Sequence, residues 1–196
     1  MGKVVVSQFM TVDGVVEDPG GAEKEHFDRG GWAFEFDRGE EGNKFKLDEV
    51  MGAGALLLGR TTYEGFAKAW PDRKDDLGFA DKFNNMPKYV VSTTLENPDW
   101  NNSTVIKDDV AGQIRELKDR HDGDILVNGS ARLVGTLIEN GLVDEYRLMV
   151  FPTVLGGGRR LFDELDEQAS LELVDSRPIG PDGVVILTYR PKSREE

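Results

Sequence analysis

Cysteine is absent from this sequence of 196 residues. Its absence excludes a disulfide framework, a zinc site built on thiolates and a thiol nucleophile. Histidine is scarce as well, because only His26 and His121 occur. Two isolated histidines supply neither a multi-histidine metal site nor a Ser-His-Asp set. Since the acidic residues show no spaced ligand pattern either, we expect no bound metal.

Basic residues are outnumbered by acidic residues in this sequence, and long apolar runs are absent from it. The chain has 24 Lys and Arg against 37 Asp and Glu, a net charge of −13. No run of Lys or Arg offers a patch for nucleic acid phosphates, so nucleic acid is not an expected partner. No apolar run approaches the ~18 residues of a membrane-spanning helix, and the first residues lack the pattern of a secretory leader. We therefore expect a cytoplasmic protein that does not bind membranes.

Short apolar strands alternate with amphipathic helices along most of the sequence. Strands are predicted at 3–10, 55–59 and 88–93, helices at 43–52, 61–70 and 108–120, and a strand, a glycine turn and a helix within 124–141. Three more strands close the chain, at 145–155, 170–179 and 183–190, with a hairpin turn at Pro-Asp-Gly 181–183. This order predicts one α/β domain over residues 1–196, with a sheet that is parallel at first and antiparallel at its end.

The segment 15–42 is long for a connection inside a compact domain and is rich in glycine, acids and aromatics. Long loops are usually functional or mobile. Its aromatic side chains are Phe27, Trp32, Phe34 and Phe36. They have two interpretations: a lid that covers a substrate and excludes water, or rings that pack the loop onto the domain.

Hydroxyl groups follow three of the predicted strands where each strand ends. The three corners are 59–62, 90–94 and 127–133, and two of them also carry an arginine. Ligands of open α/β sheets bind beyond the carboxyl ends of the strands, and a helix start there attracts anions through its free N–H groups. Arg132 in a first helical turn is unfavourable against the helix dipole unless an anion lies nearby. The alternative is ordinary capping and turn chemistry.

The order of these motifs resembles the dihydrofolate reductase-like superfamily. The resemblance covers nearly the whole chain and is closest to the reductase half of bacterial bifunctional riboflavin-biosynthesis deaminase–reductases and their stand-alone relatives. It is carried by VVVSQFMTVDG, ALLLGRTTYEGF, PKYVVSTTL, GDILVNGSARLVGTLIENGLVDEYRLMVFPTVLGGGRRLF and GVVILTYR. The fold it implies is a mixed, mostly parallel sheet flanked by helices, with antiparallel C-terminal strands.

The resemblance also implies a homodimer that binds NADPH and transfers hydride. The cofactor-binding residues it implies are Gly59, Arg60, Thr61 and Thr62 at the phosphates, Ser92 and Thr93 by the adenosine, Gly129, Ser130, Ala131, Arg132 and Leu133 at the pyrophosphate, and Gln8 and Phe9 at the nicotinamide carboxamide. The implied preference for NADPH over NADH depends on Arg60, because Thr93 stands where a basic residue often pairs with the 2′-phosphate.

The sequence departs from both relatives it resembles. Dihydrofolate reductases carry a pterin-protonating carboxylate in the region that matches Asn43, and here the nearest acids are Glu40 and Glu41, about one turn earlier. This sequence also lacks the cysteine ligands that mark the zinc deaminase half of the riboflavin enzyme. A sugar phosphate on the substrate would need cations, for which Arg38, Lys44 and Lys46 are available, although such charges usually form a solvated face.

We therefore expect an NADPH-dependent reductase of a small heterocyclic or carbonyl compound other than dihydrofolate. Glu40, Glu41 or water would supply the proton. The expected substrate-binding residues are Asp13, Trp32, Phe34, Phe36 and Lys44, with Asp13 equally suited to a simple turn. Two alternatives stay open: the reductase of 5-amino-6-(5-phosphoribosylamino)uracil in riboflavin synthesis, and a dinucleotide-binding module without catalytic activity.

Overall fold

The computed structural model describes residues 1–21, 27–163 and 165–192, so His26 lies outside the described residues. The described strands are β1 (Val4–Thr11), β2 (Ala53–Gly59), β3 (Lys88–Val91), β4 (Ser103–Ile106), β5 (Asp124–Val127), β6 (Glu145–Phe151), β7 (Leu171–Ile179) and β8 (Val184–Pro191). The α-helices are α1 (Gly39–Gly52), α2 (Arg60–Ala69), α3 (Phe79–Asn85), α4 (Val110–Arg120) and α5 (Ala131–Glu139), and a 3-10 turn spans Trp32–Glu35.

The eight described strands form one sheet in the order β4-β3-β2-β5-β1-β6-β8-β7. The first six of these run parallel to their neighbours, while β8 is antiparallel to both β6 and β7. The expected fold, a mostly parallel sheet with antiparallel C-terminal strands, is therefore confirmed. Because six strands point the same way, their carboxyl ends share one edge of the sheet.

Helices cover both faces of the parallel part, as the alternation along β1 demonstrates. Val4 and Val6 belong to a buried cluster with side chains of α4 and α5, whereas Val5 belongs to one with side chains of α1, α2 and α3. Successive side chains of a strand point to opposite faces, so an apolar run such as Val4–Val6 is what a strand buried on both faces requires.

The helix α1 begins four residues earlier than the sequence predicts. Gly39 and Gly42 indicated a loop in the sequence, because each glycine destabilises a helix by about 1 kcal/mol. At Gly42 the structure gives the reason for glycine. A Cβ there would lie 2.7 Å from Cδ1 of Ile179, so the helix approaches β7 too closely for a side chain.

Two short elements were not predicted at all. The strand β4 has four residues and begins with Ser103 and Thr104, so it lacks the apolar pattern that marks the other strands. The helix α3 has seven residues, and the carboxylate of Asp75 accepts the N–H groups of Leu77, Phe79 and Ala80 to start it. No described helix is long and apolar enough to cross a membrane.

Candidate active site

Two of the predicted corners meet at the edge where the parallel strands end. β2 leads into α2 through Gly59, and β5 leads into α5 through Gly129 and Ser130. The N–H of Gly59 donates to Oγ of Ser130 at 2.9 Å, and the N–H of Ser130 donates to Oγ1 of Thr62 at 3.0 Å. The fold therefore joins, through two direct hydrogen bonds, residues that lie some 70 positions apart.

Both helices start without a cap from any described side chain, at Gly59 for α2 and at Ser130 for α5. The first N–H groups of a helix have no partner inside it, so uncapped starts present donors and a positive dipole end to an anion. Arg60 is half-exposed, with Glu64 3.9 Å away, and Arg132 is exposed. The corner has the donors and the charge of a phosphate site.

The turn at Gly129 has little room around it. Gly129 has a φ of +55°, and a Cβ on it would lie 2.8 Å from Oγ1 of Thr62. Gln8 fixes the turn from the neighbouring strand, because its buried amide donates to the carbonyl of Gly129 at 2.7 Å. Thus Gln8 positions the turn with its side chain, while its own backbone lies in the pairing of β1 with β6, opposite Leu148.

Asn128 holds an unused acceptor inside this corner. Its Nδ2 donates to the carbonyl of Ser7 at 3.1 Å, but its buried Oδ1 has no hydrogen-bond partner among the described residues. A buried polar atom without a partner costs about 1–3 kcal/mol and so calls for an explanation. A bound molecule that donates a hydrogen bond to Oδ1 would explain it.

The remaining cofactor residues contribute less through their side chains. Oγ of Ser92 accepts the N–H groups of Thr94 at 3.2 Å and Leu95 at 3.0 Å, which is the turn chemistry named above as the alternative. Thr93 and Thr61 are exposed. Ala131 and Leu133 are buried in the core, so only their backbone N–H groups can meet a ligand.

The aromatic rings of the long connection pack mostly inward. Trp32 is 2% exposed, lies 5.5 Å from the Phe151 ring, and donates from Nε1 to the carbonyl of Glu17 at 2.9 Å. The ring of Phe36 lies 6.0 Å from that of Phe151. Phe34, by contrast, is 72% exposed. Trp32 and Phe36 thus stabilise the loop, and Phe34 is the ring of this set that is free to stack on a ligand.

Asp13 holds two loops together beside the end of β1. It accepts the hydroxyl of Thr11 at 2.6 Å and the N–H groups of Leu155 at 3.2 Å and Gly156 at 2.8 Å. The bond from Thr11 is the main cause that lowers the pKa of Asp13 from its ordinary value. Both carboxylate oxygens are therefore used by the chain itself, as the turn interpretation expects.

The two carboxylates expected to donate a proton lie in the first turn of α1 and are exposed. Glu41 faces Arg177 of β7 at 3.7 Å. Lys44 is exposed as well and pairs with Asp48 on its own helix at 2.5 Å. These contacts direct Glu41 toward β7 and Lys44 toward solvent.

A buried ionic cluster on the same helix was not predicted. Oγ of Ser7 donates to Oε2 of Glu49 at 2.7 Å, and Nζ of Lys46 donates to Oγ of Ser7 at 2.7 Å and also contacts Oε2 of Glu49. Arg147 lies 3.6 Å from Oε1 of Glu49. The available signal was a serine in an apolar strand together with a lysine and a glutamate three residues apart on one helix.

The cluster borders the ring of Phe9. Nζ of Lys46 lies 5.4 Å from the centre of that ring, and the Arg38 guanidinium lies 5.2 Å from it. Burial lowers the pKa of Arg38 from its ordinary value. Two cations therefore flank the residue that the resemblance places at the nicotinamide. Among the residues that the structure describes, no group of His, Asp or Glu side chains could hold a metal ion.

The arrangement of strands and corners defines a class of protein. A dihydrofolate reductase from Enterococcus faecalis, in complex with NADP(H), has the same fold, with a TM-score of 0.62 at 16% identity over 98% of each chain. A candidate riboflavin biosynthesis protein from Shewanella sp. PV-4 has a TM-score of 0.76 at 20% identity and covers 98% of this chain and 100% of its own. The fold is therefore dihydrofolate reductase-like.

Sequence comparison then identifies the family within that class. The sequence model of the RibD C-terminal domain matches residues 2–185, so the chain belongs to the RibD C-terminal domain family. The Bacillus subtilis (strain 168) protein YyaP is 32% identical over 137 residues, which cover 68% of this chain and 72% of YyaP. The expected resemblance to the reductase half of the riboflavin enzymes is confirmed.

Proposed function

We propose that this protein is a reductase that uses NADPH to transfer hydride to a small carbonyl, imine or heterocyclic compound. The observation that carries the proposal is the joined corner of α2 and α5, whose uncapped helix starts are flanked by Arg60 and Arg132. Membership of the RibD C-terminal domain family and the fold shared with a dihydrofolate reductase that binds NADP(H) support the same assignment.

The residues of the corner fit a dinucleotide. The backbone N–H groups at 60–62 and 131–133 and the two arginines would bind its phosphates, and the unused Oδ1 of Asn128 would accept a hydrogen bond from it. Bound in this way, the cofactor supplies a hydride. The protein itself would bind the cofactor and the substrate, orient them toward each other and exclude water. The proposal includes a cytoplasmic location.

Arg60→Ala tests the cofactor assignment. We expect the variant to bind NADPH more weakly by about 1.5–3 kcal/mol, the usual contribution of a charged hydrogen bond. Titration of NADPH, followed by fluorescence or calorimetry, measures the difference. Arg115→Ala is the matched control, because Arg115 is exposed on α4, away from the corner. Undetectable binding of wild-type protein at millimolar NADPH would overturn the assignment, and titration with NADH reports the cofactor preference.

The riboflavin reductase is a second candidate because the chain belongs to the RibD C-terminal domain family. An assay of NADPH oxidation with dihydrofolate, 5-amino-6-(5-phosphoribosylamino)uracil, and simple quinones and carbonyls separates the candidates. Turnover of the pyrimidine alone would establish the second candidate. We expect no efficient turnover of dihydrofolate, because the nearest predicted acid, Glu41, faces Arg177. Tight NADPH binding without any turnover would instead favour a binding module.

A further inference from the structure

The ammonium group of Lys46 occupies a fixed position in the wall of the proposed cleft, the space beside Phe9 in which nicotinamide and substrate would bind. It donates to Ser7 at 2.7 Å and contacts Glu49, and its side chain is 13% exposed. Ser7 uses its own proton to donate to Glu49, so it must accept from Lys46. A lysine has three N–H donors, and no described residue accepts the third. The ring of Phe9 lies 5.4 Å from Nζ, so the cluster adjoins the place proposed for the nicotinamide.

Stability does not explain this cluster. The side chain of Glu49 is only 2% exposed, and burying a carboxylate costs several kcal/mol unless cations compensate for it. Arg147 compensates in part, but it also pairs with Asp124 at 2.9 Å and Glu145 at 2.8 Å. Well-packed apolar side chains of similar volume would often be as stable or more stable. An ionic cluster at the wall of a cleft is therefore better explained by chemistry.

We propose that Lys46 is the catalytic residue that protonates the substrate, and that Glu49 and Ser7 are the residues that position it. The inference rests on the proposed function, because it requires a substrate that accepts hydride beside Phe9. Lys46 is thus proposed as the proton donor in place of Glu40 and Glu41. Those two carboxylates are exposed at the start of α1, whereas Lys46 lies on the same helix and contacts Ser7 of β1.

The proposed step is a hydride transfer coupled to a proton transfer from Lys46. A bound reduced nicotinamide would supply the hydride, its own C–H bond breaking as it is oxidised. The carbon of a C=O or C=N group of the substrate would gain the new C–H bond, and the π electrons of that group would move to its heteroatom. One N–H bond of Lys46 breaks as the heteroatom gains the proton, which leaves a neutral amine. Lys46 then takes a proton from water through its exposed edge. A positioned general acid contributes roughly 10²–10⁴ in rate.

The test compares Lys46→Met and Lys46→Arg with wild-type protein in single-turnover oxidation of NADPH. The probes are 5-amino-6-(5-phosphoribosylamino)uracil, dihydrofolate, menadione and 4-nitrobenzaldehyde, and the one that wild type reduces fastest is used. We expect both variants to be slower by about 10²–10⁴. Arginine keeps the charge but does not release its proton, so it separates proton donation from anion binding or packing.

Lys118→Met is the matched control. Lys118 is also a mostly buried helix lysine, 15% exposed and paired with Asp144 at 2.7 Å, but it lies on α4 against the opposite face of the sheet. We expect this variant to lose stability without slowing NADPH oxidation. For Glu49→Gln we expect a lower kcat with an unchanged KM, because the carboxylate positions the donor and does not bind the substrate.

A second readout does not depend on turnover. Acylation of lysines by an N-hydroxysuccinimide ester, measured by mass spectrometry, reports whether Lys46 lies in the cleft. We expect NADPH together with the chosen probe to protect Lys46 but not Lys118. The dissociation constant for NADPH should be unchanged in Lys46→Arg, which shows that a slower reaction does not come from loss of the cofactor.

Each outcome decides between the two hypotheses. A wild-type protein that oxidises NADPH with none of the probes would overturn the proposed function and this inference with it. An active wild type whose Lys46→Arg variant keeps its rate would overturn the role of Lys46 alone. An active wild type with unprotected Lys46 would do the same. Slow variants, an unaffected Lys118→Met and protection of Lys46 would support the inference.

Discussion

Lys88, which is fully buried, and Arg147, which is mostly buried, are two cations that the chain stabilises in different ways. Arg147 contacts the carboxylates of Glu49, Asp124 and Glu145. Burial acts to lower the pKa of Arg147, but the hydrogen bond to Glu145 and the three negative charges outweigh it, so the pKa is raised. Lys88 has no carboxylate among the described residues that contact it, and burial lowers its pKa to about 8.

Lys88 depends on backbone carbonyls instead. Its Nζ donates to the carbonyls of Asn101 at 2.7 Å, Met86 at 2.9 Å and Asn84 at 3.1 Å, and it lies 4.3 Å from the centre of the Trp100 ring. These contacts join the end of α3 to the segment that precedes β4. The side chain is therefore a fixed structural element at the start of β3, at the opposite end of the parallel strands from the two corners.

Lys88→Met should change how stability depends on pH. The pKa of Lys88 is about 8 in the folded chain and about 10.4 in an unfolded one. Between these values the unfolded chain holds a proton that the folded chain has released, so the free energy of unfolding rises with pH, by at most ~1.4 kcal/mol per unit. Urea unfolding between pH 7.5 and 10.5 measures this rise. We expect it to be smaller in Lys88→Met, and parallel curves for the two proteins would contradict the prediction.

At the residue scale, the sequence predicted that the two strand-to-helix corners share one edge of the sheet, and it did not predict the ionic cluster around Lys46. Gly59, Arg60, Gly129 and Ser130 follow strands directly, so their position at one edge follows from the order of elements. The sequence named Lys46 only as one of several available cations, because its contact with Ser7 depends on how α1 packs against β1. A charged residue on a helix does not reveal from sequence alone whether it faces solvent or a strand.

At the scale of elements, the two corners differ in how closely they approach each other. A Cβ at Gly129 would lie 2.8 Å from Thr62, at a positive φ of 55°. A Cβ at Gly59 would lie 3.6 Å from Ser130, at an ordinary φ of −79°. The backbone conformation and the close contact with Thr62 both require glycine at position 129, and neither applies at position 59.

Gly129→Ala should be destabilising, whereas Gly59→Ala should be tolerated by the fold. An alanine in the left-handed region costs about 1–2 kcal/mol, and the contact with Thr62 adds to that. At Gly59 neither cost applies, so we expect a change within about 0.5 kcal/mol. Urea unfolding of both variants at one pH makes the comparison. Equal destabilisation by the two substitutions would count against the close approach described above.

The element order was predictable because hydrophobic period and turn residues agree along most of the chain. The exceptions have physical causes. α1 starts early because the glycine at position 42 serves its packing on β7, and α3 depends on a single aspartate cap at Asp75. The strand β4 is stabilised by pairing with β3 and not by a pattern of its own. Pairing partners of this kind cannot be read from local sequence.

At the scale of the whole molecule, β7 is an exposed edge of the sheet. All its residues from Glu172 to Pro178 are exposed. They include Leu173 and Val174, whose exposed fractions are 52% and 46%. A free edge with apolar side chains is a template for another strand, and natural proteins pair it or cover it. We propose that a second copy of this chain covers it.

The mass in solution tests this proposal. We expect light scattering at micromolar concentration to report twice the 21.8 kDa of one chain. A double substitution of Leu173 and Val174 by lysine should shift the protein to monomer, because charged side chains prevent strand pairing at an edge. As a control, lysine at the exposed Leu77, which precedes α3, should leave the mass unchanged. A wild-type mass near that of one chain would contradict the proposal.

The central position of β1 has a consequence for synthesis of the chain. β1 lies between β5 and β6, with Val4 opposite Ile125 and Val5 opposite Glu145. Its partners in β5 and β6 therefore leave the ribosome about 120 and 140 residues after it, a delay on the order of 10 s at typical elongation rates. During that time an apolar strand waits without its native partners. Contacts of such long sequence separation make folding slow and expose the nascent chain to aggregation, so the strand made first stays unpaired longest.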